Sequence, residues 1–443
     1  MLKTFAKGGV HPSENKLSAA EPINDLPIPP VITIPLGMHL GVAAKPIVQK
    51  GDEVKTGQLI AQGNGLVSAN IHSSVSGKVL KIDKALDASG YKHDSVIIQV
   101  DGDEWLETID LSKEISDTCT LSSKDIIQKI NDAGIVGLGG ATFPSHVKLS
   151  VPRGKKAKYL IINGVECEPY LTSDHALMLS KGEELLTGIS ILSRALRAEK
   201  TLIGIEDNKP DAIENLRKIA GKYNDISVHA LKVKYPQGGE KQLIKALINR
   251  EVPSGGLPVD VGTVVFNVGT AFAVYEAVQK NKPLFERIVT VTGKSLSKPS
   301  NFRVRIGTPV KDLIEAAGGL PEDTGKIING GPMMGKAISA MDISVVKGTS
   351  GILILNKNES RRKPSEPCIR CSKCISVCPM GLEPYLLMTL SEKSLHERLE
   401  RDKVMDCNEC GSCSYICPSN RPLLDYIRLG KSNVGKIIRM RKK

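Results

Sequence analysis

Between residues 45 and 82, short apolar runs are broken by Gly-Asp, Thr-Gly, Gly-Asn-Gly and Ser-Gly steps, the rhythm of strands and tight turns in a small β-sandwich. From 122 to 277 the period changes. Helical spacing over 125–133, 183–197 and 211–220 alternates with continuous apolar runs at 159–163 and 201–205. That alternation predicts an α/β core around a largely parallel sheet. Residues 287–320 then read strand, turn, strand, helix, and 383–404 is helical in composition. The chain is expected to be multidomain α/β, with units at 1–110, 120–280, 285–357 and 364–425 and a basic tail at 426–443. Arg361, Arg362, Lys363 and Pro364 form the expected linker into the fourth unit.

The longest apolar stretch, 261–278, contains Asn267, Glu276, two glycines and two threonines, which is poor material for a lipid-facing helix. No apolar segment follows Met1 in the manner of a secretory signal, so the thiols are expected in a reducing compartment. At 443 residues the chain exceeds what one core supports. Its net charge of +12 is uneven: residues 421–443 hold eight basic side chains against Asp425 alone. Such a tail either meets an anionic lipid or acidic partner or is simply solvated. Aromatics are only 4% of the chain and none interleave with basic runs, which argues against nucleic acid.

Eight of the ten cysteines write one pattern twice: Cys368, Cys371, Cys374 and Cys378 before Pro379, then Cys407, Cys410, Cys413 and Cys417 before Pro418. C-x2-C-x2-C-x3-C-P, repeated, is the signature of two [4Fe–4S] clusters whose fourth ligands are exchanged. One cluster is then expected on Cys368, Cys371, Cys374 and Cys417. The other is expected on Cys407, Cys410, Cys413 and Cys378. Paired disulfides need an oxidising compartment and zinc ribbons a two-and-two spacing, and this arrangement fits neither. Cys119 and Cys167, without thiol neighbours in sequence, are expected to be structural.

A glycine cluster, GIVGLGGATFPSHVK at 134–148, directly follows the helical run ending near Ala133. Such loops let main-chain N–H groups approach an anion, though they are also common as plain turns. The segment resembles the GRGGAGFPTGLK loop of the flavin-binding, NADH-oxidising subunit of respiratory complex I, with Phe143, Pro144 and Lys148 at the family's spacing. NGVECEP at 163–169 is similar to that family's NADEGEP, YPQGGE at 235–240 to YICGEE, and NVGT at 267–270 to NVET. The resemblance implies that Gly137, Gly139, Gly140, Phe143 and Lys148 hold FMN phosphate and ribityl. Asn163, Glu166, Asn267 and Thr270 would orient the flavin, and Glu168, Tyr235, Gly238 and Glu240 would line a pocket for NAD(H). Val165, Gly239, Gly269 and Phe266 depart from the family's pattern and bear chiefly on nicotinamide recognition.

Two further segments carry resemblances. Residues 45–82 resemble the biotinyl/lipoyl hammerhead, with the hairpin tip near Asn64 and Gly65 and no lysine there to modify. Residues 287–320 resemble the SLBB β-grasp module, and GGPMMG at 330–335 is expected to be a turn with packing methionines. Hammerhead, flavin core, SLBB and a two-cluster ferredoxin-type domain, with GGVHPSENK at 8–16, resemble the RnfC family of Rnf electron-transport complexes. That resemblance implies a peripheral subunit on the cytoplasmic face of the cell membrane. It would exchange electrons between NAD(H), FMN and two [4Fe–4S] clusters in a ferredoxin:NAD+ oxidoreductase coupled to Na+ or H+ transport. Its partners would be the complex's integral membrane subunits and its iron–sulfur, ferredoxin-interacting subunit. Two alternatives stay open: a cobalamin-reductase-like flavin/iron–sulfur reductase, and a flavin-free electron relay and docking protein.

Overall fold

The computed structural model describes residues 2–116 and 118–441; Met1, Asp117 and the last two lysines of the expected tail, Lys442 and Lys443, lie outside it. The chain opens as a strap rather than as part of the sandwich. Lys3 bridges to Leu231 and Val10 to Tyr235, the Gly9 N–H donates to the Val377 carbonyl at 2.8 Å, and β1 (Ile23–Asp25) ends the strap in a sheet far along the chain. Gly8, at φ +69°, passes so close that a Cβ would stand 2.6 Å from the Val377 carbonyl oxygen. Only glycine accepts both the backbone angle and the approach.

Seven strands follow: β2 (Val31–Pro35), β3 (Lys45–Pro46), β4 (Glu53–Val54), β5 (Leu59–Gln62), β6 (Ile71–His72), β7 (Gly77–Leu86) and β8 (Lys92–Val100). They form two sheets, ordered β2-β8-β7-β4 and β3-β5-β6. Ile32, Ile34, Ile60, Ile71, Val96 and Ile98 close the space between them. Inward residues alternate along β2 and β8, which is why the sandwich rhythm is legible in the sequence. Asn64 and Gly65 lie in the loop joining β5 to β6.

The α/β core comprises α1 (Ser123–Asp132), α2 (Ser145–Leu149), β9 (Tyr159–Asn163), α3 (Ser173–Ser180), α4 (Gly182–Leu196), β10 (Lys200–Glu206), α5 (Pro210–Ala220), β11 (Ile226–Leu231), α6 (Glu240–Ile248), β12 (Thr263–Asn267) and α7 (Val268–Gln279). The sheet is parallel and ordered β11-β10-β9-β12. Leu160 and Ile162 of β9 pack under α1, α4, α5 and α7, while Ile161 packs under α6. With both faces covered, a parallel strand reads as a continuous apolar run. The chain steps outward from β9 to β11 and then returns to the other flank of β9, so the strand order reverses between β9 and β12. Open α/β sheets bind ligands in the crevice at that reversal, beyond the strands' carboxyl ends. The apolar run 261–278 is β12 passing directly into α7; among the described residues no helix is long and apolar enough to cross a membrane.

Next come β13 (Glu286–Thr292), β14 (Ser300–Arg305), α8 (Val310–Ala316), β15 (Thr324–Asn329), β16 (Lys336–Ala337), β17 (Gly351–Asn356) and α9 (Lys357–Ser360). The sheet runs β1-β14-β13-β17-β15-β16, the strap supplying its edge. α8 lays Val310, Leu313 and Ile314 against Val289, Val291 and Val304. The last unit holds α10 (Lys373–Ser376), α11 (Pro384–Glu392), α12 (His396–Arg401), α13 (Ser412–Ile416) and α14 (Leu423–Arg441).

Residues 2–25, the N-terminal segment of the first expected unit, run along the seams between units. The expected separate tail is instead most of α14, in which Ile427 and Val434 are buried against Leu387, Leu399 and Val404. Lys436, Arg439 and Arg441 are exposed on this amphipathic helix, while Arg428 and Lys431 turn inward to Glu409, Lys431 also donating to the Cys407 carbonyl at 2.6 Å; counting charge alone hides the apolar stripe.

Candidate functional site

The switch point brings four distant segments together. Asn163 ends β9, Asn267 ends β12, and the two are register partners. The Asn267 side chain accepts from the Gly269 N–H at 2.8 Å, capping α7, and its amide donates to the Asn163 carbonyl (3.4 Å) and to Asp174 Oδ2 (2.6 Å). Asn163 in turn donates to the Gly238 carbonyl at 2.8 Å. The glycine loop closes over this pair: the Leu138 N–H donates to Thr270 Oγ1 at 2.9 Å and the Gly137 N–H to the Phe143 carbonyl at 2.9 Å. A Cβ on Gly139 would stand 2.9 Å from that of Asn267, whereas one on Gly140 would meet nothing within 4 Å. The loop is therefore packed on its inner side and open at Gly140.

Lys148 Nζ lies 2.6 Å from Glu240 Oε1 and 5.5 Å from the centre of the Phe266 ring. A partly exposed ammonium beside an open glycine loop suits a phosphate, and the set fits a flavin mononucleotide by its donors. Beneath it, burial first and then the charge of Glu166 raise the Asp174 carboxyl above its ordinary range. Arg287 reaches in from β13, donating to the Leu138 carbonyl at 3.3 Å.

Glu166 and Glu168 face elsewhere. Glu166 accepts from the Asp174 and His175 N–H groups (2.8 and 3.2 Å), holding the start of α3. Glu168 accepts from the Met333 and Met334 N–H groups (3.1 and 2.8 Å) in the turn at 330–335, and burial pushes its carboxyl up to about 7. Lys16 of the strap steadies this hairpin by donating to the Glu166, Glu168 and Leu171 carbonyls at 2.6–2.9 Å. Tyr235 is buried too: its hydroxyl donates to the Cys410 carbonyl at 2.7 Å and lies 3.4 Å from Glu168 Oε1. Cys167 fills the same seam, accepting from the Gly238 N–H through its sulfur at 3.3 Å. Flavin motif and cysteine motif thus share one wall.

All ten cysteines are free thiols. Cys378, Cys407, Cys410 and Cys413 line one cavity, with Met380, Leu382, Leu387, Leu424 and Ile427 around them. Burial raises the Cys413 thiol, and charge on Cys407, Cys410 and Cys378 raises it further. Cys374 is raised by burial and then by Cys417 and Cys368, so the last cysteine of each motif stands with the other motif's set. Among the described residues no three His, Cys, Asp or Glu side chains converge as a single metal ion requires. Four cysteine sulfurs lining one enclosed site fit, by their donor set, a cluster whose iron corners are bound one thiolate each. Cys368 and Cys371 are exposed; Cys119 lies far away against the α/β core.

Comparison with known proteins bears on each unit. Residues 3–103 match the family described as the RnfC barrel sandwich hybrid domain, 130–276 the Nuo51 FMN-binding domain, 288–337 the SLBB domain and 361–418 a 4Fe-4S dicluster domain. The chain is 48% identical, over 98% of its length and 94% of the relative's, to the C component of the proton-translocating ferredoxin:NAD(+) oxidoreductase complex of Clostridium ljungdahlii. The chain belongs to the RnfC family. An Acetobacterium woodii relative, the C component of a Na(+)-translocating ferredoxin:NAD(+) oxidoreductase complex, is 46% identical over 97% of this chain and 96% of its own length. Among solved structures, an NAD+-reducing [NiFe]-hydrogenase in its H2-reduced state aligns with a TM-score of 0.50 and 20% identity. The alignment covers 71% of this chain and 62% of the hydrogenase chain, which bears on the fold alone.

Within this RnfC member, no motif points to Asp174 and Arg287, which are wired to the crevice through Asn267 and Leu138, or to Lys16, which steadies the Glu166–Glu168 hairpin beside it. Lys16 sits in the segment GGVHPSENK, but a lysine that serves carbonyls 150 residues away leaves no local signal. The pull of Asp174 on Asn267 exists only because α3 starts beside the end of β12.

Proposed function

We propose that this chain is the NAD(H)-facing subunit of a ferredoxin:NAD+ oxidoreductase complex coupled to Na+ or H+ translocation, bound peripherally at the cytoplasmic face of the cell membrane. The observation that carries the reading is the shared wall, where Tyr235 joins the flavin motif to the Cys410 loop at 2.7 Å. When bound, FMN would supply the conversion between a two-electron hydride donor and the one-electron chemistry that [4Fe–4S] clusters would provide.

The residues do the rest. Lys148 and the main chain at Gly137, Gly139 and Gly140 would neutralise the phosphate, Phe143 would close that loop, and Asn163, Asn267 and Thr270 would set the ring's tilt. Glu166 would act through α3, holding Asp174 under Asn267. Glu240, Gly238 and the mouth beside them would receive the dinucleotide, with Glu168 and Tyr235 backing that wall. Cys378, Cys407, Cys410 and Cys413 would bind the cluster nearer the flavin. Cys368, Cys371, Cys374 and Cys417 would bind the outer one, facing the complex's membrane subunits and its iron–sulfur subunit. Exposed Ile369 amid Arg361, Arg362, Lys363 and Arg370 supports an acidic acceptor there.

The test is iron and flavin quantification on anaerobically purified protein followed by NADH titration. Two clusters and one flavin, with clusters bleaching on NADH addition, are expected; a protein that takes up no FMN on reconstitution and ignores NADH overturns the reading. Lys148→Ala should lower FMN affinity about tenfold with iron content unchanged.

A further inference from the structure

Lys347 is fully buried, a residue of the β-grasp unit between β16 and β17. A charged lysine inside a protein normally brings a carboxylate with it. Here burial pulls the ammonium down to about 7 with no acid offsetting it. The titratable groups facing it are His72 and His39 of the sandwich, both held toward the neutral form, His72 at about 3. What Lys347 does have is two main-chain carbonyls, Asn70 and Gly134, each at 2.7 Å.

Those carbonyls belong to two other units. Asn70 closes the base of the β5–β6 loop, accepting from the Gly63 N–H at 2.9 Å, in the hairpin whose tip in a hammerhead would carry a modified lysine, and its side chain donates to the Asp132 carbonyl at 3.2 Å. Gly134 is the first residue of the glycine loop, at φ +64°, where a Cβ would stand 2.2 Å from the Asn70 oxygen and 2.9 Å from Lys347 Nζ. The loop's far end is gripped from the same two units: the Leu40 N–H donates to the Thr142 carbonyl at 3.2 Å, and a Cβ on Gly348 would stand 2.7 Å from Thr142 Cγ2. The middle is held by Arg287 at Leu138.

We propose that Lys347 is a positioning residue, a latch through which the base of the sandwich's β5–β6 hairpin and the β-grasp unit hold the glycine loop in its ligand-ready shape. The sandwich thereby has a task in this chain: that hairpin is a brace for the loop at 134–142. The inference deepens the flavin reading above and rests on it for its consequence, but the latch itself is testable without flavin.

Hydrogen–deuterium exchange on the full chain, clusters intact, compares wild type with Lys347→Met, which keeps length and removes the donors. Exchange in peptides covering 134–143 should accelerate severalfold while peptides covering 368–417 stay unchanged, and FMN affinity should fall roughly tenfold. Lys347→Arg, which keeps donors, should recover part of the affinity. Gly348→Ala, which pushes on Thr142 without touching the lysine, should loosen the same segment and serves if Lys347→Met does not fold. Unchanged exchange at 134–143 in whichever of the two folds overturns the latch. Faster exchange in a chain whose wild type binds no FMN would leave the latch standing and refute the flavin reading.

Discussion

Two cysteine quartets with one spacing end in opposite surroundings. Cys378, Cys410 and Cys413 are buried around a cavity walled by α11 and α14, and the α/β core packs behind it, where Gln242 Oε1 accepts from Asn408 at 3.2 Å and Tyr235 reaches Cys410. Cys368 and Cys371 are exposed, on a segment before α10 that leaves them open to solvent, next to Ile369 at 67% exposure. The repeated motif sets the ligands, and packing sets the role. A buried site can exchange electrons only with its neighbour inside the molecule, whereas an exposed one can meet a partner. Salt should accordingly screen the outer site's partner contacts and leave the inner seam alone.

The strongest way to break this comparison is to remove one thiol from each. Cys413→Ser should cost about half the iron and destabilise the unit at 364–441 by several kcal/mol, because the lost cluster fills the centre of its core. Cys371→Ser should cost the same iron with little effect on melting temperature. Equal destabilisation in calorimetry would erase the distinction. Cys417→Ser sharpens it differently: although Cys417 is the last cysteine of the second motif, its loss should abolish the EPR signal of the outer cluster, and loss of the inner one instead would refute the exchanged pairing.

Tyr235→Phe keeps the ring packed and removes one buried hydrogen bond, leaving the Cys410 carbonyl unpaired at a cost of about 1–3 kcal/mol. Stopped-flow spectroscopy should then find slower flavin-to-cluster transfer with unaltered hydride transfer; equal slowing of both would mean that the tyrosine serves the flavin rather than the seam. The smallest effect concerns Glu168, whose carboxyl is raised by burial from 4.5 to about 7. Its protonated form is the one the fold favours, so its contribution to stability is complete below about pH 4.5 and lost as pH rises through 7. Glu168→Gln should flatten the melting-temperature profile across that window; an unchanged slope would assign the pH dependence to Glu206 and Asp174, both raised likewise to about 7.

Much of the chain was legible locally. The parallel strands β9 and β10 and helices α4 and α5 followed from hydrophobic period, and FMN and cluster chemistry from short motifs. The strap at 2–25 was not, because its partners are bridges to Leu231, Tyr235 and Val377, hundreds of residues on. Helix α14 hid behind its charge. Glu168, read from its motif as a nicotinamide contact, has its carboxylate committed to Met333 and Met334, a pairing no spacing rule encodes.

The sequence by itself determined which atoms this protein can offer: eight cysteine sulfurs in two copies of one motif, a glycine loop with its lysine, and asparagines that end two strands. Those are properties of residue type and short spacing, which the backbone's local geometry translates directly. Only the tertiary structure decided that the two asparagines become neighbours at the strand reversal, that one quartet is enclosed and the other open, and that Lys347 is sealed against Gly134. Each of these depends on which surfaces exclude water from one another across long stretches of chain, and burial is a property of the packed whole.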